Sequence, residues 1–191
     1  MLNEIHDYDK PEYNHQYDVI AEVIPYFSNS GVDVNIRSAI GGYNLSGHNL
    51  LMVAANKGLV GIVEALLNVT DIDVNLRDTH GDNALHLAAA TTFSKVARSK
   101  KQEVIKLILG IKDIDVNAQN EDGGTALMYT VSRYPIEIVE LMLNKPGIKV
   151  NLKTNERYSD SGWTALDYAI YNLNVEKNEE SQNIVNLLKG E

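Results

Sequence analysis

One segment, Asp71-Ile72-Asp73-Val74-Asn75-Leu76-Arg77-Asp78-Thr79-His80-Gly81-Asp82-Asn83-Ala84-Leu85-His86-Leu87-Ala88, carries the organising pattern of the chain. An extended approach closes on Asn75, a turn follows at Gly81, and Asn83 stands where a side-chain oxygen would cap a helix beginning at Ala84. The approach recurs as Gly31-Val32-Asp33-Val34-Asn35, Asp113-Ile114-Asp115-Val116-Asn117 and Gly147-Ile148-Lys149-Val150-Asn151, and the four Asn residues are 40, 42 and 34 apart. The helix start recurs too. It reads Gly47-His48-Asn49-Leu50-Leu51-Met52-Val53-Ala54, Gly123-Gly124-Thr125-Ala126-Leu127-Met128-Tyr129-Thr130 and Gly162-Trp163-Thr164-Ala165-Leu166-Asp167-Tyr168-Ala169.

A second helix follows each start, marked by apolar residues that return after one turn: Ile62, Val63, Leu66 and Leu67; Val104, Ile105, Ile108 and Leu109; Ile138, Val139, Met142 and Leu143; Ile184, Val185, Leu187 and Leu188. That spacing makes one buried stripe per helix. Asn49, Asn83, Thr125 and Thr164 are placed as N-caps, each contributing about 1 kcal/mol. Small residues at Ala54, Ala88 and Ala169 let the first helix approach its neighbour closely, while the second buries larger side chains. A turn with two short antiparallel helices cannot enclose its own core. The units must therefore stack into an all-α solenoid.

The residues Asn83-Ala84-Leu85-His86-Leu87-Ala88 resemble the T-P-L-H-x-A signature of the ankyrin-repeat family, and the resemblance extends from about Val19 to Leu188. Its Pro is replaced here by Leu50, Ala84, Ala126 and Ala165, and its His survives only as His86. The implied organisation is a polar segment at 1–15, an N-terminal capping half-repeat at 16–30 and about four ankyrin-like repeats at 31–70, 71–112, 113–146 and 147–191, with β-turn or hairpin fingers. Val19, Ile20, Val23 and Ile24 supply the apolar pattern of the cap, and Pro25 ends or kinks it.

Two kinds of insertion individualise the units. From the approach Asn to the first-helix Leu the distance is 10 residues in the second and third units, but 16 in the first and 15 in the fourth. From the small first-helix residue to the second-helix Ile or Val it is 8 in the first and third, but 16 in the second and 15 in the fourth. The first helix or its following loop is expected to be longer in those two. The second-unit insertion, Thr91 to Gln102, carries Lys95, Arg98, Lys100 and Lys101 with no acid; its counterpart at 171–182 carries Glu176, Glu179 and Glu180. Both read as solvated extensions of the first helix, the basic one alternatively as a dock for an acidic group.

The 191 residues suffice for one domain, and 17 Lys and Arg against 26 Asp and Glu give a net charge of −9. An acidic field argues against nucleic acid and anionic membranes as partners. Cysteine is absent, which removes disulfides, thiol nucleophiles and thiolate metal sites. No window approaches about 18 uninterrupted apolar residues, and the first residues lack a signal-peptide pattern, so a cytoplasmic or intracellular home is expected. The many Asn, Ile and Lys residues suit an AT-rich genome, and family members from such organisms can be secreted effectors acting on host proteins.

No chemistry is legible. Asp71-Ile72-Asp73-Val74-Asn75 and Asp113-Ile114-Asp115-Val116-Asn117 imitate the start of an EF-hand loop, but positions six and twelve are Leu76 and Asp82, or Ala118 and Gly124. The Asn amides are expected instead to bond local backbone. His80 and His86 lie on different elements with no third ligand nearby, and Ser46-Gly47-His48 lacks an orienting group for a nucleophile. No phosphate-loop, dinucleotide-loop or metalloprotease motif occurs. Asn44-Leu45-Ser46 and Asn68-Val69-Thr70 match the glycosylation tripeptide by chance. The expectation is no catalytic residue, no cofactor and no metal.

The resemblance implies a non-catalytic protein-binding module, monomeric on its own, whose fingertips and first helices line a concave groove. Carried over by position, the groove residues are Arg37, His48, Asn56 and Lys57; Arg77, Thr79, His80, Asp82 and Thr91; Gln119, Glu121, Asp122, Ser132 and Arg133; and Lys153, Trp163, Tyr171 and Asn172. Trp163, the only tryptophan, is either a binding anchor beside Tyr171 or packing for the enlarged fourth finger. Family members can be hydroxylated on the approach Asn, here Asn35, Asn75, Asn117 and Asn151. Other readings are a regulatory, inhibitory or targeting subunit of an enzyme complex, and a small enzyme with a site near His80 and Asp82.

Overall fold

A computed structural model describes residues 22–24, 31–38, 47–90, 95–155 and 161–190. The 1–15 segment, most of the expected cap at 16–30 and Thr91 lie outside them. Eight helices are described: α1 (Leu50–Lys57), α2 (Val60–Leu67), α3 (Ala84–Ala89), α4 (Lys95–Leu109), α5 (Ala126–Val131), α6 (Ile136–Leu143), α7 (Ala165–Glu176) and α8 (Glu179–Lys189). They pair in sequence, and like packs on like: α1, α3, α5 and α7 form one layer, α2, α4, α6 and α8 the other. Among the described residues the fold is an all-α stack, with one isolated bridge, Gln119 to Thr125, in the third finger.

Every first helix begins on the expected cap. Asn49 Oδ1 accepts from Met52 N at 2.9 Å, Asn83 Oδ1 from His86 N at 3.1 Å, Thr125 Oγ1 from Met128 N at 3.3 Å and Thr164 Oγ1 from Asp167 N at 3.3 Å. Asp167 returns a bond to Thr164 N at 2.8 Å, and its hydrogen bonds with Thr164 hold its carboxyl below the usual range. Ala54, Ala88 and Ala169 are buried between the layers. In the third unit Thr130 takes that position, and its hydroxyl is satisfied by donating to Ala126 O at 2.8 Å. The large aliphatics Leu66, Ile105, Ile108 and Met142 fill the second layer.

The units are joined by a ladder of Asn side chains, which corrects the expected local bonding. Asn35 Nδ2 donates to Asp71 O at 2.7 Å while its Oδ1 accepts from Asp73 N at 2.8 Å. Asn75 repeats this with Asp113 O and Asp115 N, both at 2.8 Å, and Asn117 with Gly147 O at 2.9 Å and Lys149 N at 2.8 Å. The local turn is closed instead by the preceding carboxylates: Asp33, Asp73 and Asp115 accept from the backbone N of Asn35, Asn75 and Asn117 at 2.9, 2.9 and 3.0 Å. A primary amide carries a donor and an acceptor in one plane, so it can bridge two groups of a neighbouring backbone where a carboxylate cannot. Asn75→Asp, nearly isosteric, should therefore cost about 1 kcal/mol in denaturant unfolding, since its donor to Asp113 O is lost. An unchanged midpoint would show that the rung contributes nothing.

The insertions are built differently from one another. In the fourth unit the first helix is lengthened, as expected, α7 having 12 residues against 6 in α3 and α5. In the second unit the expectation of a longer first helix is overturned: the second helix, α4, is extended at its N-terminus to 15 residues, while α3 stops at Ala89. Lys101 is the reason. Counted back from Val104, Ile105 and Ile108, it falls on the same helical face, so the stripe draws it inward. It is only 2% exposed, and Nζ donates to Leu87 O at 3.0 Å, Ala90 O at 3.3 Å and Asn56 Oδ1 at 3.4 Å. This ammonium supplies the donors that the orphan carbonyls at the end of α3 require. Burial lowers its pKa to about 8.

Candidate functional site

The second, third and fourth fingers are each closed by one polar side chain three residues beyond the approach Asn. Asp78 Oδ1 accepts from His80 N at 2.8 Å and Asp82 N at 2.9 Å; Asn120 Oδ1 accepts from Asp122 N at 3.1 Å and Gly124 N at 2.8 Å; Thr154 Oγ1 accepts from Trp163 N at 3.0 Å. Neighbouring fingers are then tied together. Glu121 N donates to His80 O and Asn155 N to Asp122 O, both at 2.8 Å, and Asn155 Nδ2 donates to Glu121 O at 2.7 Å. Arg77 Nη1 reaches Gln119 O at 3.0 Å, and Gln119 Nε2 reaches Lys153 O at 2.9 Å. The fingertips thus form a braced row.

This bracing sorts the residues read from sequence. Arg37, Lys57, Thr79, His80, Glu121, Lys153 and Tyr171 are exposed. Asn56, Arg77, Asp82, Gln119, Asp122, Ser132, Arg133, Trp163 and Asn172 are half-buried, and several of them hold the scaffold. Ser132 Oγ donates to Met128 O at 3.1 Å and Asn172 Nδ2 to Val131 O at 3.4 Å. His48 corrects its expected place on the exposed face: it is 5% exposed, with Nε2 3.0 Å from Asp78 Oδ2, so it joins the first finger to the second. The carboxylate partner offsets the cost of burying an imidazole there.

Between the second and third fingers lies a coupled polar cluster. Asn120 Nδ2 donates to Asp82 Oδ1 and to the Tyr129 hydroxyl, both at 2.9 Å. Burial raises the Asp82 carboxyl above its ordinary value, raises Tyr129 and lowers His86. His86 caps its own helix with Asn83, and its Nε2 donates to Gly124 O of the next unit at 3.2 Å. Its ring meets the Tyr129 ring edge-on at 6.1 Å, and the Arg133 guanidinium lies 5.3 Å over Tyr129. The cluster joins the two units through Asn120 to Asp82 and His86 to Gly124 O, while Asn83 Nδ2 is buried without a hydrogen-bond partner. Among the described residues no group of three or more His, Asp or Glu is placed to hold a metal. Asp78, Asn120 and Tyr129 were missed in the sequence reading. The signal was available, because all three stand at fixed offsets from Asn75, Asn117 and Thr125.

At the far end Trp163 packs edge-on against Tyr168 at 5.1 Å and tilted against Tyr171 at 5.6 Å. Trp163 is half-buried in this trio, whereas Tyr171 is 54% exposed.

Paired helices in two layers with Asn- or Thr-capped starts are the architecture that the signature implied, and the approach Asn residues join its units. A family model described as ankyrin repeats (three copies) matches residues 13–99 and 93–191. The chain belongs to the ankyrin-repeat family. No curated protein matches it. Ankyrin repeats are protein-interaction modules, and no helix among the described residues is long and apolar enough to cross a membrane. In this ankyrin stack the exposed fingertip residues and Tyr171 are borne by a backbone that is hydrogen-bonded from unit to unit.

Proposed function

We propose that this ankyrin stack binds a protein partner, without catalysis, through the concave side formed by the fingertips and the α1, α3, α5 and α7 layer. The observation that carries the reading is the bracing of the fingers. Thr79, His80, Glu121 and Lys153 stand on loops whose backbones are tied to one another, so little ordering entropy is lost when a partner docks. Tyr171 is the anchor, held by the Trp163 ring, and an amphipathic aromatic is a common hot-spot residue.

The test is affinity capture from a lysate of the source cell, and of its host where there is one, with mass-spectrometric identification and a quantified affinity for the captured protein. Tyr171→Ala should weaken that complex about tenfold with an unchanged melting temperature. Trp163→Ala should weaken it and also lower the melting temperature, because the tryptophan packs on Tyr168. Undiminished affinity in Tyr171→Ala would overturn the assignment of the anchor, and in a variant also carrying Glu121→Ala and Lys153→Ala it would overturn the groove.

A further inference from the structure

The two inserted segments meet across the third unit. That unit has the short α5 and the short loop Ser132–Pro135, while its neighbours carry the extended α4 on one side and the extended α7 with α8 on the other. The step between them is a cleft of about 350 Å³. Its floor carries Val131, Tyr134, Pro135 and Ile184 with the polar Ser132, Arg133 and Asn172 beside them; Arg98 stands on the α4 wall, and Glu176 and Glu180 stand on the α7–α8 wall. Tyr134 is buried, with its hydroxyl donating to Ala88 O at 2.7 Å, so the floor is fixed.

The walls have opposite sign and do not close on each other. No ion pair among the described residues joins Arg98 to Glu176 or Glu180. Glu176 is held where it stands, its Oε2 accepting from Asn178 Nδ2 at 3.0 Å and Ser181 Oγ at 3.4 Å. The α4 N-terminus reinforces the sign of Arg98, in its first turn, and the α7 C-terminus that of Glu176, its last residue, while Glu180 lies in the first turn of α8, whose end is positive. A ligand lying across the cleft meets a positive wall, a floor that is apolar at Val131, Tyr134, Pro135 and Ile184, and a negative wall in turn.

We infer that this cleft receives a short peptide segment of a protein partner in which an acidic and a basic residue flank an apolar one, the acid on Arg98 and the base on Glu176 and Glu180. The inference deepens the protein-binding reading and rests on it, but it places a second contact away from the fingertips. The probe is the blocked peptide Ac-Glu-Leu-Lys-NH2, titrated into the whole isotope-labelled chain to about 10 mM, a range suited to millimolar affinity. Ac-Glu-Leu-Glu-NH2 and Ac-Lys-Leu-Lys-NH2 are run beside it.

The expected result is saturable shifts at Arg98, Tyr134 and Glu180 with the mixed-charge peptide, at least about fivefold tighter than with either single-sign peptide. Arg98→Glu should weaken the mixed peptide and make Ac-Lys-Leu-Lys-NH2 the preferred ligand. A reversal of preference cannot arise from unfolding. Absence of saturable shifts at the cleft, equal binding of all three peptides, or an unchanged order of preference in Arg98→Glu would overturn the inference. Because no fingertip residue lines the cleft, retained capture of a groove partner alongside any of these results would leave the protein-binding reading standing.

Discussion

Gly123→Ala is expected to lower the unfolding free energy by about 3 kcal/mol, among the larger effects of a single methyl group. Gly123 lies in the left-handed region at φ 75°, where a side chain costs about 1–2 kcal/mol. A Cβ there would also stand 2.7 Å from Asn155 N and 2.9 Å from Lys153 O, both backbone atoms of the next finger. Those atoms cannot retreat without opening the contact in which Asn155 N donates to Asp122 O at 2.8 Å. Gly147→Ala isolates the first contribution, the backbone strain, since Gly147 has φ 79° but nothing within 4 Å of its added Cβ. It should cost only about 1 kcal/mol. Equal losses in the two variants, measured by denaturant unfolding, would mean that close finger packing does not hold the third and fourth units together.

Lys101→Ala is expected to cost about 2–3 kcal/mol at neutral pH, because Leu87 O and Ala90 O would lose their buried donor and a cavity would open beneath α4. The pH dependence carries a separate signature. With its folded pKa lowered to about 8 from the ordinary 10.5, the unfolded chain binds the Lys101 proton more tightly between those values. Stability linked to this group therefore rises as pH increases from about 8 towards 10.5, and the penalty for holding a buried ammonium is present in full below 8. The difference between wild type and Lys101→Ala should accordingly widen over that interval. A flat difference would place the Lys101 ammonium in water.

The fold was legible because its signals are short-range and repeated. Asn49, Asn83, Thr125 and Thr164 announce helix starts by chemistry that needs only three following residues, and they are found capping α1, α3, α5 and α7. What reaches between units was harder to read. The approach Asn was assigned to its own turn, whereas its amide spans to a residue 36 to 38 positions away in Asn35 and Asn75, a distance that only stacking reveals. His48 was placed on the surface by its register, yet its partner Asp78 is 30 residues on. Lys101 was misassigned for another reason: charge was given more weight than its place on the Val104, Ile105 and Ile108 face. Of the positions carried over to the candidate groove, Thr79, His80, Glu121 and Lys153 are exposed, while Arg77, Asp82 and Gln119 are partly committed to bracing the fingers.

The central claim is that a partner docks on the finger side of the stack, and amide hydrogen exchange of the chain with and without its captured partner tests it most directly. The account predicts added protection at the fingertips, residues 77–82, 119–122 and 153–155, and at the start of α7, with α2, α4, α6 and α8 unchanged over their outer faces. Protection confined to those outer helices, with the fingertips exchanging as in the free chain, would contradict it.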